Sequence, residues 1–152
     1  MALSLIGAPA MAADQTVDGT LDTSVTMKTA PNPSVSWSLS PGANTKSGGT
    51  LEIASNAAYT VTLQAAKATM TKYANGSYGA DGLATATTVT PTLSSGTAVP
   101  APVLTGTTAQ TLVTGVGLTT DTMSLELAQP VLISDKPANY RNVFTYTASA
   151  AL

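Results

Sequence analysis

Bulky and small polar side chains alternate along most of this chain, and that alternation predicts an all-β domain. The expected form is two antiparallel sheets packed face to face, with about seven to nine short strands. Three observations carry the expectation. Apolar residues recur at every second position over long stretches, as in strands with one buried and one wet face. Clusters of turn residues such as Ser40-Pro41-Gly42, Ser47-Gly48-Gly49 and Asn75-Gly76 punctuate the runs. The one stretch rich in helix formers, Leu63 to Met70, is short and studded with threonine, which leaves at best a single helical turn.

The chain opens MALSLIGAPAMA and closes that run with Ala10-Met11-Ala12, a small-x-small pattern that fits a signal-peptide cleavage site. Residues 1–12 are therefore expected to be a signal-peptide remnant, lacking the usual basic start. Residues 13–152 are expected to be a single exported domain, secreted or held at the cell surface. A short apolar strand or helix retained in the fold is the alternative. Residues 15–29 come next as one long alternating segment, with Val17, Leu21, Val25 and Met27 on one parity and Asp18, Asp22, Ser24 and Lys28 on the other. Such a strand at a chain terminus either begins its own sandwich or adds to the open sheet edge of a neighbouring subunit, where main-chain hydrogen bonds give affinity and alternate side chains fill pockets.

Further along, Val35, Trp37 and Leu39 alternate with four serines and predict a strand. Ser47-Gly48-Gly49 closes a loop before Leu51 and Ile53. After a turn at Ser55-Asn56-Ala57, Tyr59, Val61, Leu63 and Ala65 repeat the same parity. Asn75-Gly76, between Tyr73 and Tyr78, predicts a hairpin with a type I′ turn, because both residue types tolerate positive φ. From Ala84 to Val116 the signal weakens. Pro91, Pro100 and Pro102 predict edge strands and loops there, since each removes a ladder donor. The last third restores the pattern with Met123, Leu125 and Leu127, then Val131 and Ile133, then Phe144, Tyr146 and Ala148. The core is expected to gather Trp37, Leu39, Tyr59, Val61, Leu63, Leu125, Phe144 and Tyr146. A lone Trp on an early inward-facing strand, and Tyr140 placed for a corner hydrogen bond before the final strand, suit a sandwich of immunoglobulin-like type.

Composition restricts the chemistry. The chain has no His and no Cys, which removes Ser-His and Cys-His nucleophile systems and zinc sites. Its six Lys and Arg against eight Asp and Glu give a net charge of -2, and the cations are scattered singly, so there is no basic surface for nucleic acid. No run is long and apolar enough for a membrane span. Glu52 and Glu126 lie between inward-facing aliphatics, so parity sends both outward and leaves no carboxylate pair. Asp14, Asp18 and Asp22 share one strand face, yet neighbours four residues apart are ~13 Å distant, too far to share one calcium ion. A loop site using Asp81 or Asp121 is the remaining metal option. Lys28, Asn142 and Glu126 occupy places loosely comparable to those of an isopeptide cross-link, although parity turns Lys28 and Glu126 outward. The expectation is of no enzyme, no catalytic residue, no cofactor and no metal.

Taken with the closing stretch Lys136-Pro137-Ala138-Asn139-Tyr140 and Asn142-Val143-Phe144-Thr145-Tyr146-Thr147, the order of features resembles major pilin or fimbrial subunits assembled by donor-strand exchange. The Gly that usually follows the tyrosine in those families is Arg141 here. Related secreted, adhesive surface β-sandwiches resemble the chain almost equally. The resemblance implies a structural subunit of an extracellular filament that self-associates into a homopolymer through β-strand complementation, with Val17, Leu21, Val25 and Met27 as the contact strand. The alternative is a secreted or cell-surface module that binds a glycan, a protein or a host surface, with Tyr73 and Tyr78 as its available aromatics.

Overall fold

A computed structural model of the chain describes residue 16, residues 18–100 and residues 102–151. Among these residues there is no helix, and so none long and apolar enough to cross a membrane. The strands are β1 (Val25–Thr29), β2 (Thr45–Ser55), β3 (Tyr59–Ala65), β4 (Thr71–Ala74), β5 (Ser77–Gly82), β6 (Thr88–Ser95), β7 (Val99–Pro100), β8 (Val103–Leu104), β9 (Gln110–Gly115), β10 (Thr119–Ala128), β11 (Tyr140–Arg141) and β12 (Phe144–Ala150). Every pairing is antiparallel. Three of the twelve are two residues long, so the strands of substance number nine, the upper end of the range that the alternation predicts.

They form a β-sandwich with a small flanking sheet. One main sheet has the order β1-β2-β10-β6-β8, the other β12-β3-β9-β7, and β11-β4-β5 makes the flank. Period-two alternation explains what lies between the two main sheets. Leu51 and Ile53 of β2, Met123, Leu125 and Leu127 of β10 and Val89 of β6 point inward from one side. Tyr59, Val61 and Leu63 of β3 meet them from the other, joined by Leu112 and Val113 of β9, consecutive residues that a break in the ladder opposite Val61 and Thr62 allows to be buried together, and all are buried. Each such aliphatic side chain withdrawn from water stabilises the fold by about 1.5–3 kcal/mol. The sandwich thus has two poles. At the first lie the β2–β3 and β9–β10 turns, where Ser55 pairs with Thr119 and Tyr59 with Gly115. At the second β10 ends, with Ala128 opposite Thr45, and β12 begins, with Phe144 opposite Ala65.

Local chemistry accounts for the turns. Asn75 and Gly76 have φ of 51° and 80°, the conformation a type I′ hairpin needs, and Tyr73 faces Tyr78 across it. Pro91 stands in β6, but that strand has a neighbour on its second side only at Thr88 and Val89, so the proline sits on an edge. Pro100 lies in β7, at the end of its sheet.

Several expected strands differ. Of the described residues within 15–29 only Val25–Thr29 form a strand, and residues 1–15 and Val17 lie outside the described residues. Leu21 is 87% exposed, while Val25 and Met27 are half-buried and pair with Ser55 and Ile53 of their own chain. Residues 34–40 are not a strand either. Pro31, Pro33 and Pro41 frame the segment and supply no donors, and among the described residues no backbone–backbone hydrogen bond joins residues 33–39 to a sheet. The period of two survives as facing alone, with Val35, Trp37 and Leu39 half-buried and the serines exposed. Ser47-Gly48-Gly49 belongs to β2 as a bulged stretch opposite Leu125 and Glu126. Gly49 is required there, because its φ is 96° and a Cβ would lie 2.7 Å from the Asn32 backbone nitrogen. Val131 makes one isolated bridge, to Gly42, and Ile133 stands in solvent on a turn.

Candidate strand-docking groove

β12 lies at the edge of its sheet, paired with β3 on one side and, among the described residues, with no strand on the other. β1 lies at the corresponding edge of the opposite sheet. Along β12 the alternation is regular, with Phe144, Tyr146 and Ala148 inward and Thr145, Thr147 and Ser149 outward. The inward residues are nonetheless only half-buried, although they pack on the core. Inward-facing residues on β3, one strand further in, are buried completely or nearly so. The difference follows from position: an edge strand has no next strand whose side chains could finish the cover.

What occupies that side is a groove of about 710 Å³, walled by Pro31, Val35 and Trp37 on one flank and by Phe144 and Tyr146 on the other, with Leu127 also in its lining. Arg141 stands at its rim. A smaller hollow of about 310 Å³ shares Trp37, Met70 and Tyr140 with it and continues toward Leu39, Leu83 and Val131. The segment carrying Val35, Trp37 and Leu39 thus lines an open channel with side chains at strand spacing. Its entrance is held by local bonds. Asn32 N–H donates to Gly48 C=O at 2.9 Å, and the Asn44 amide donates to Ser40 C=O at 2.8 Å while its oxygen accepts from Ser40 N–H at 3.1 Å. Tyr140 makes the corner bond anticipated for it, donating its hydroxyl to Lys136 C=O at 2.5 Å. The approach to β12 is thereby fixed.

Burial pushes the Tyr146 phenol up to about 12 from 10.0. A raised value means that the neutral phenol suits this site better than the phenolate. Its contribution to stability is therefore complete below about pH 10 and lost as pH rises through about 12. Ultraviolet titration of the folded chain is expected to show the Tyr146 phenolate appearing near pH 12, and Tyr146→Phe is expected to remove that step. If Tyr146→Phe instead removed amplitude near pH 10 from the titration of the folded chain, the ring would not be sequestered.

The two main sheets are riveted by a residue the alternation could have flagged. Asp121 is completely buried. Its Oδ2 accepts from the Tyr59 hydroxyl at 2.6 Å and its Oδ1 accepts from Thr97 N–H. Burial first, and then the bond to and charge of Asp121, raise the Tyr59 phenol far above its ordinary value. Asp121 has the parity of Met123 and Leu125, which is the sequence signal for its inward direction. Gln129, two residues past Leu127 on the same parity, is also buried. It accepts from Thr87 Oγ1 at 2.7 Å and donates to Thr85 C=O and Pro130 C=O. Neither side chain lines the groove, and both have their polar atoms engaged in bonds that hold elements together.

The other sequence candidates are dispersed. Glu126 is exposed and Glu52 half-buried. Glu52 stands opposite Thr122, four residues from Glu126 along β10, or about 13 Å. Asp18, Asp22 and Asp81 are exposed, Asp14 lies outside the described residues, and among the described residues no group of three acids could hold a metal ion. Lys28 is exposed, and Asn142 is engaged with the backbone of Lys67 and Thr69. Tyr73 and Tyr78 meet edge to face with centroids 5.1 Å apart, and each ring has a cation of its own chain over one face, Arg141 at 4.2 Å and Lys67 at 5.1 Å.

No family model, curated protein or solved structure matches the chain.

Proposed function

We propose that this chain is a structural subunit of an extracellular filament, in which a strand from one copy completes the sandwich of the next. The observation that carries the reading is the half-covered inner row of β12, beside an unpaired edge and a groove of about 710 Å³. The strand order supports it. Reading β1, β2, β10 and β6 as the A-B-E-D sheet of an immunoglobulin-like sandwich makes β3 and β12 strands C and F. No strand among the described residues pairs with β12 at the position that strand G would fill. An open edge of this kind is normally guarded, and here the outward residues Thr145, Thr147 and Ser149 carry no charge.

The donor in this reading is the segment ahead of β1. Because Val25 and Met27 belong to their own sheet, the contact residues narrow to Val17 and Leu21, whose spacing suits alternate inward sites of an added strand. The segment joins β1 at the first pole, and the groove opens beside Phe144 and Arg141 toward the second. A donor leaving one pole and an acceptor at the other make a heterologous contact that propagates. The purified chain is expected to form multimers that survive SDS without boiling. Deleting residues 14–21 is expected to leave a folded monomer with an unchanged circular dichroism spectrum. Fibres formed by the deleted chain would end the proposal.

A further inference from the structure

The described residues leave seven large hydrophobic side chains exposed, and every one lies at a pole of the sandwich. At the first pole Val116 and Leu118 occupy the β9–β10 turn and Val99 stands opposite Thr114 near the end of β9. Leu21 is beside them in chain terms, since Asn56 of the β2–β3 turn donates to the carbonyl of its neighbour Asp22 at 2.9 Å. At the second pole are Leu132, Ile133 and Val143. Leu132 and Ile133 follow the end of β10, and Val143 precedes β12 and accepts from Ala66 N–H at 2.8 Å.

Neither tip is loosely built. Leu118 is 85% exposed and has φ of 58°, a left-handed conformation that is costly for an L residue with a Cβ. No burial within its own chain offsets that cost. Gly117 before it packs so tightly that a Cβ would lie 2.1 Å from Ala57 O, so the turn is braced against its neighbour. Ile133 is 93% exposed on a turn closed by Asp135, whose carboxylate accepts from Leu132 N–H at 2.8 Å and from Ala84 N–H at 3.1 Å. Two rigid apolar tips, one at each end, with none on the flanks, are the distribution expected of a body that meets copies of itself end to end.

We infer that the β9–β10 tip of one copy, Val116 and Leu118, seats against the Leu132–Ile133 turn and Val143 of the next copy. This end-to-end contact rests on the filament reading and adjoins the groove, whose lining includes Val143, but Val116, Leu118, Leu132 and Ile133 line neither hollow. Strand insertion holds two copies together; the tip contact sets how one stands on the other.

The chain has no cysteine, which makes the contact directly testable in the full-length protein. Two double variants, Leu118→Cys with Ile133→Cys and Val116→Cys with Ile133→Cys, are oxidised and run under non-reducing conditions. A ladder of disulfide-linked multimers from at least one double variant, with each single variant giving no linked species, is the expected result. A second readout is Leu118→Asp, which keeps the monomer's spectrum and is expected to slow multimer formation by about tenfold. SDS-resistant multimers that form at the parental rate in Leu118→Asp and give no ladder in either double variant would overturn the tip contact and leave strand complementation standing. Absence of any multimer from the parental chain would overturn both.

Discussion

Gly115→Ala is expected to cost about 3 kcal/mol of stability, near the upper end for overpacking a core. At this position a Cβ would fall 2.1 Å from Cε1 and 2.3 Å from Cζ of the Tyr59 ring. The ring has no route of escape. Tyr59 is wholly buried, Val61 and Leu63 continue its row on β3, and its hydroxyl is tied to Asp121 in the opposite sheet. The backbone cannot yield cheaply either, because Gly115 is paired with Tyr59 in the β3–β9 ladder and Gly117 two residues on is wedged against Ala57. Since a domain of this kind holds only about 5–15 kcal/mol in total, the variant is expected to unfold at markedly lower urea. In a Tyr59→Leu background the added methyl no longer meets a ring, and the cost of Gly115→Ala is expected to shrink, a coupling that a double-mutant cycle reads directly. A Gly115→Ala chain within about 0.5 kcal/mol of the parent would show that the ring is less constrained than its bonds imply.

Asp121→Ala is expected to be comparably damaging, for the opposite reason. It removes atoms rather than adding them, and leaves the buried Tyr59 hydroxyl and the partly buried Thr97 N–H without an acceptor. Each orphaned donor costs about 1–3 kcal/mol, so about 4 kcal/mol is the expected loss. Asp121→Asn keeps the volume and one good acceptor and should lose roughly half as much. Tyr59 offers a second readout. Burial is the largest single cause of its raised phenol value, followed by the hydrogen bond to and the charge of Asp121, so Asp121→Ala should lower that value without returning it to that of a free phenol. Equal stability of the Ala and Asn variants would indicate that the lost bonds contribute nothing beyond packing.

Much of this architecture is written in local order. Leu51 and Ile53, Tyr59 to Ala65, Met123 to Leu127 and Phe144 to Ala148 form strands facing as their alternation dictates, because side-chain parity is a property of each strand alone. Asn75-Gly76 and Tyr140 are equally local, one acting through positive φ and the other through a bond to a carbonyl four residues away. What alternation does not encode is whether a strand-like run finds a partner. Val35, Trp37 and Leu39 alternate as well as any core strand, yet among the described residues no ladder reaches them. Pairing depends on residues distant in sequence, and on prolines whose effect appears only when both neighbours are placed. Asp121 was obscured by its charge. Its parity points inward, but a carboxylate is buried only where donors await it, and Thr97 and Tyr59 are 24 and 62 positions away. The groove was legible only in part. The facing of the β12 side chains is implied by their alternation, whereas the strand's place at a sheet edge is a matter of topology.

The way the leading segment joins β1 determines how the molecule responds to being stretched. Asn56 accepts from Ser24 N–H at 2.7 Å and donates to Asp22 C=O at 2.9 Å, so the chain is already gripped before the four β1–β2 register pairs from Val25 to Thr29 begin. A pull on the residues ahead of Val25, directed away from the first pole, runs along the axis of β1. The ladder is then loaded in shear, with its bonds bearing together, and not peeled open one bond at a time. A short strand attached in this way yields abruptly at a threshold, and below that threshold it scarcely extends.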